Sequence, residues 1–229
     1  MSIYTSLLRP LAFRLEAEHA HHLAIKLGSK MNWTARWLRP LLAVSDKRLE
    51  VDVAGLKFPH PIGLAAGYDK SGHSVPALAS LGFGSIEIGS ISIDPSAGNP
   101  KPRLWRLPAD RALLVHYGMQ NDGAHAVARR VQDLQLSIPL GINIGITNRG
   151  RNAPPLDTDR IIGEYANAAR LLAPHASYLM LNLSCPNTLD GRDFFFNGDN
   201  MRACIAALKS YAGFWVTRLI RRRGEPAFQ

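Results

Sequence analysis

Leu181-Asn-Leu-Ser-Cys-Pro-Asn-Thr188 is the stretch that decides the fold of this chain. The apolar run 178–183 gives way, within a few residues, to two Asn, a Ser, a Cys and a Pro. This is the signature of a buried strand that delivers polar groups to its carboxyl tip. In β/α barrels such tips carry the chemistry.

Working backwards from that strand, the same rhythm recurs. Residues 61–65, 85–88 and 139–144 read as short apolar strands, each closed by Gly, Ser or Asn. Helical spacing over 75–81, 125–134, 161–172 and 201–208 fills the intervals. A small hairpin is expected at 49–53 and 56–58, and a long Pro-containing loop at 91–102. Buried strands alternating with helices predict parallel βα units. Ahead of them, Leu7, Leu8, Leu11 and Leu15, then Leu23, Ala24 and Leu27, predict two short amphipathic helices leading to Trp33 and Trp37. Such a pair can cap one end of the core or rest on a membrane surface, with Arg9, Arg14 and Lys26 near the lipid.

Composition narrows the class. The 229 residues are 46% hydrophobic, enough for a substantial core, and the two cysteines, Cys185 and Cys204, do not make a disulfide scaffold. A reducing, cytoplasmic setting is the simpler expectation. No run of about 18 apolar residues predicts a spanning helix. The net charge of +9 includes a C-terminal cluster of Arg218, Arg221, Arg222 and Arg223, but no basic patch is interleaved with aromatics, so no nucleic-acid partner is expected. His19, His21 and His22 lack Cys or carboxylate partners at metal-ligand spacing and read as a solvated helix face. Cys204, among Ala203, Ala206 and Ala207, reads as core.

The strand tips carry the chemistry-bearing residues. At 63–70 (GLAAGYDK), Ala65, Ala66 and Gly67 let a flat ligand approach the backbone, and Lys70 adds a cation. Alone this is a tight turn with a surface Lys. Ser90, Asn143 and Asn182 follow on the next three tips, and buried amides require partners. Together they imply a planar, partly anionic ligand rich in donors and acceptors.

GLAAGYDK (63–70), GFGSIEIGS (82–90), KPRLWRL (101–107), LGINIG (140–145) and LNLSCPNT (181–188) resemble dihydroorotate dehydrogenase, in the family's order and spacing. The helical N-terminus, with Leu15-Glu-Ala-Glu-His-Ala20, resembles the quinone-linked, membrane-associated class. The resemblance implies the (β/α)8 TIM-barrel fold, of which about four βα units are present. Residues 1–45 would be an N-terminal helical extension on the membrane and quinone side. Residues 46–210 would be the first half of the barrel, and 211–229 a basic tail foreign to the family. It implies flavin mononucleotide (FMN) as cofactor, bound by Ala66, Gly67, Lys70, Ser90, Asn143 and Asn182. Dihydroorotate would lie against Lys70, His116, Gly118, Met119, Asn182 and Asn187. Cys185 would be the base that takes the C5 proton, in the oxidation of dihydroorotate to orotate for pyrimidine (UMP) biosynthesis, with a quinone as final acceptor. The place implied is cytoplasmic, peripheral to the inner membrane.

Three residues or segments depart from the family's pattern. The quinone-linked class usually carries Ser where Cys185 stands. Val115 stands where the family has a substrate-binding Asn, so His116 or Gln120 would have to compensate, or another pyrimidine is the substrate. The tail from Ser210 matches nothing in the family and reads as an encoded amphipathic anchor or as a frameshift or early stop, the latter leaving an inactive remnant that binds flavin weakly unless two halves pair.

Overall fold

The computed structural model describes residues 4–150, 152–183, 185 and 194–221. A π-helical turn, Tyr4–Leu8, leads into α1 (Arg9–Ala12), with Pro10 in its first turn where no N–H is needed. Glu16 caps α2 (Ala17–Lys30): its carboxylate accepts from the backbone N–H groups of Glu18 at 2.9 Å and His19 at 2.7 Å. After α3 (Ala35–Leu42) comes the expected hairpin of β1 (Val51–Val53) and β2 (Leu56–Phe58). Its turn residues Ala54 (φ 50°) and Gly55 (φ 80°) are both left-handed, as a two-residue hairpin requires.

The parallel units follow. Residues 61–65 pair with the next strand through one bridge, Leu64 with Ile86, rather than a full strand. Pro59 and Pro61 offer no N–H to a ladder. Then come α4 (Val75–Ser80), β3 (Ile86–Ile91), an antiparallel hairpin of β4 (Leu104–Leu107) and β5 (Ala112–Val115), and α5 (Ala124–Val131). β6 (Leu140–Ile144), α6 (Thr158–Leu172), β7 (Tyr178–Leu181) and α7 (Gly198–Arg221) complete the order. The sheet runs β3-β6-β7, all parallel, with successive units adjacent. The β4–β5 hairpin was not expected from sequence.

Each strand is divided by its pleat. Ile86, Ile88, Leu140, Ile142 and Ile144 face the helices and pack with Val75, Val127, Val131, Tyr165 and Leu172. The alternate set, Glu87, Gly141, Asn143 and Tyr178, faces the other way. The core therefore lies between sheet and helices, and the polar residues line the opposite face of the sheet. Cys204 is buried in that core, where burial pushes its thiol up to about 11.

Polar ties fasten the N-terminal helices to this frame. Ser74 Oγ donates to the Ile25 carbonyl at 2.6 Å, and Arg39 Nη1 donates to the carbonyls of Ala79 and Phe83. The strongest tie is Glu18, 2% exposed, against Arg103 at 2.8 Å, with Lys101 at 3.4 Å and His22 at 3.2 Å. Burial alone would raise the Glu18 carboxyl; the hydrogen bonds from Arg103 and His22 and the charges of Arg103 and Lys101 outweigh it and hold it at about 2. The folded state is thus favoured above the ordinary carboxylate range, and that stability is lost as pH falls from about 4.5 towards about 2. Glu18→Gln is expected to cost about 2–3 kcal/mol near neutral pH. In urea unfolding, the gap to the unmutated chain should close across that acid window; a gap independent of pH would show that the charge of Glu18 is not its source.

Candidate functional site

One cavity of about 1240 Å³ opens at the carboxyl ends of the parallel strands. Of the residues singled out in the sequence, Ala66, Gly67, Lys70, Ser90, Gly118, Met119, Asn143, Asn182 and Cys185 all line it. The pleat brings Ser90 and Asn143 there, on β3 and β6, whose isoleucines pack against the helices. Asn187 lies outside the described residues.

His116 does not join them. Val115, at the end of β5, lines the cavity, so the next residue is turned to the opposite face. The His116 ring instead meets Asn99 Nδ2 at 3.1 Å. Gln120 lies on a separate, smaller cavity of about 330 Å³, with Oε1 buried and without a hydrogen-bond partner among the described residues. Neither residue replaces the amide that Val115 lacks.

The floor of the cavity is a continuous hydrogen-bond chain. Tyr178 donates to Glu87 Oε2 at 3.2 Å and Asn143 Nδ2 donates to Glu87 Oε1 at 3.1 Å. Ser90 Oγ donates to Asn143 Oδ1 at 2.5 Å and accepts from Asn182 Nδ2 at 2.7 Å. Tyr165, buried beneath, donates to the Asn182 carbonyl at 2.7 Å and fixes the tip of β7.

The upper wall is cationic and aromatic. Tyr117 is buried, and its hydroxyl has no hydrogen-bond partner among the described residues. Lys70 Nζ lies 4.1 Å and Arg103 Cζ 5.4 Å from its ring centroid. Burial, then the Glu18 charge, push the phenol up to about 12, so it remains a neutral donor. Burial and the nearby Arg103 lower Lys70 to about 8, partly offset by Glu18 and Asp69; it is still largely an ammonium at neutral pH.

His21 corrects the reading of a solvated histidine face. Its ring stands edge-on to Tyr68 at 5.2 Å, and burial with the Lys70 and His22 charges lowers it to about 4. It lines the cavity as a neutral imidazole, whereas His19 and His22 are exposed. Helical period identified the helix but not what packs on it.

The mouth is apolar and flanked by arginines. Ala12, Phe13, Ala17 and Ala20 face Leu104, Leu107 and Leu113 of the β4–β5 hairpin, with Arg9, Arg106 and Arg111 among them. The Phe13 ring lies between Arg9, 5.1 Å from its centroid, and Arg106, at 4.7 Å. Glu87, Tyr117 and His21 were missed as site residues; a charged residue at the centre of an apolar strand was the available signal for Glu87.

Comparison with known proteins agrees with this architecture. Residues 48–214 match the dihydroorotate dehydrogenase family. Dihydroorotate dehydrogenase (quinone) of Mycolicibacterium paratuberculosis is 47% identical over 203 residues, covering 87% of this chain and 53% of the relative. That of Chloroflexus aurantiacus is 40% identical over 209 residues, covering 88% and 56%. The crystal structure of ligand-free DHODH from Eimeria tenella superposes with a TM-score of 0.73 at 31% identity, over 86% of this chain and 53% of that one. Its complex with ferulenol gives 0.69 at 33%, over 86% and 51%. The chain spans about half the length of the curated relatives it matches. Sequence and fold together make this chain a member of the dihydroorotate dehydrogenase family, with the α/β architecture of its TIM barrel.

Proposed function

We propose that this chain carries the cofactor- and substrate-binding half of a quinone-linked enzyme that oxidises dihydroorotate to orotate in pyrimidine biosynthesis. The observation that supports it best is the convergence of Lys70, Ser90, Asn143, Asn182 and Cys185 on one cavity. The residues fit flavin mononucleotide. Gly67 (φ 103°) leaves open space where a Cβ would stand, Ala65 and Ala66 are small, and the buried Tyr117 hydroxyl awaits a polar partner. When bound, the flavin supplies the hydride acceptor.

The chain's own residues do the rest. Lys70 receives the substrate carboxylate, its ammonium held over Tyr117. Asn182 and Asn187 hold the pyrimidine ring, while Gly118 (φ 69°) and Met119 (φ 58°) turn the backbone along its edge. Cys185, as thiolate, removes the proton from C5. A quinone enters along the apolar mouth between α1, α2 and the β4–β5 hairpin. The exposed Leu7, Leu8, Leu11, Trp33, Trp37 and Leu41 then rest on the inner membrane from the cytoplasmic side. No described helix is long and apolar enough to cross a membrane.

The test is dihydroorotate-dependent reduction of a short-chain quinone by the full chain supplied with flavin mononucleotide. Turnover supports the proposal; neither turnover nor flavin uptake overturns it. Cys185→Ala is expected to lower turnover roughly 100- to 10,000-fold with flavin uptake retained. Unchanged turnover would exclude the thiol as base.

Val115 favours a second reading, in which the same cavity takes a different pyrimidine. An apolar side chain on that wall leaves a ring N–H or carbonyl without its partner. Val115→Asn should then raise dihydroorotate turnover roughly tenfold, mainly through a lower KM. An unchanged KM would remove the reason for a different substrate.

A further inference from the structure

A carboxylate inside a barrel is costly unless it is bonded, and Glu87 is bonded through both oxygens. One bond depends on an absence. Glu87, Gly141 and Tyr178 are register partners across β3, β6 and β7. The Tyr178 ring crosses directly over Gly141 to reach Glu87, and a Cβ on Gly141 would overlap it. Burial, then the Glu87 charge, push the Tyr178 phenol up to about 12, so it donates and does not ionise.

The consequence follows from donor–acceptor chemistry alone. An ionised carboxylate accepts hydrogen bonds and donates none. Asn143 must therefore turn its NH2 towards Glu87, which leaves Oδ1 for Ser90. Ser90 commits its single hydrogen to that oxygen, so its own oxygen accepts from Asn182 Nδ2. Each bond fixes the sense of the next, from β3 to the tip of β7.

We propose that Glu87 is a positioning residue whose charge fixes the donor–acceptor order that Asn143, Ser90 and Asn182 present on the cavity wall. The inference rests on the reading of that wall as a flavin and pyrimidine site. A planar heterocycle with alternating imide N–H and carbonyl groups is the class of ligand such an order selects. With the order reversed, donors meet donors.

Three variants separate sense from structure. Glu87→Gln keeps the shape, but an amide both donates and accepts, so both senses become available. Tyr178→Phe removes one bond yet keeps the carboxylate, and hence the sense. Glu87→Gln combined with Asn143→Asp moves the acceptor-only group one position along and restores the sense at Ser90 and Asn182.

The first readout needs no ligand: the side-chain amide NMR signals of Asn182 in the full chain. Glu87→Gln should shift or double them across two intervening residues, whereas Tyr178→Phe and the double variant should not. The second is uptake of flavin mononucleotide, followed by flavin fluorescence. Glu87→Gln should weaken it roughly tenfold and Tyr178→Phe far less. Asn182 signals unmoved by Glu87→Gln overturn the proposal, and so does an equal loss of uptake in Glu87→Gln and Tyr178→Phe. No uptake by the unmutated chain overturns the flavin reading alone, and the NMR arm still decides the role of Glu87.

Discussion

The buried contact of Glu18 with Arg103 governs the mouth of the cavity. Removing two charges from water is recovered only when both are fully bonded, and breaking such a pair leaves one charge buried alone. Arg103 meets that condition: it also donates to the Ala97 and Asn99 carbonyls and lies over Tyr117. Glu18 stands in the first turn of α2, two residues past its Glu16 cap, so fixing this carboxylate fixes where the helix begins. His21 then falls one turn on, against Tyr68 and Tyr117. Arg106, three residues past Arg103, reaches back to the Leu15 carbonyl at 2.8 Å and closes the other side. One ion pair thereby sets the helical extension and the hairpin facing each other, with the slot between them.

The parallel units were legible because the apolar runs at 85–88, 139–144 and 178–183 are separated by helical periods and closed by polar tips. Their ends shifted by a few residues, since pattern registers burial while a strand ends where its partner ends. The β4–β5 hairpin escaped because Leu104–Leu107 is short and follows Pro100 and Pro102, so its entry reads as loop. His116 shows the sharper limit. Proximity to a motif does not say which face a residue takes, and one position along a strand reverses it. His21 was misjudged for a related reason: periodicity defines a helix face, but only tertiary packing decides whether water or two tyrosines lie against it.

The excess positive charge becomes intelligible once it is placed. Lys70 stands at the upper wall with Arg103 over the Tyr117 ring beside it, and Arg9, Arg106 and Arg111 at the mouth, while Glu87 is the one carboxylate on the wall of the large cavity among the described residues. Glu87 is hydrogen-bonded through both oxygens yet keeps its charge, and the cations around the cavity outnumber it. The arginines at the mouth and Lys70 within, its ammonium over the Tyr117 ring, give the cavity a field that attracts anions.

The barrel interior owes this character to a division of labour along each strand. Because β3 and β6 give their isoleucines to the helices, their alternate residues are released from making a core and can be charged, amide or absent altogether. Gly141 is the absent case. Any side chain there would separate Tyr178 from Glu87 and leave a half-buried carboxylate with one donor fewer. The polar wall therefore depends as much on the missing Cβ of the middle strand as on the groups flanking it, and a search for polar residues alone would pass over the position that lets them meet.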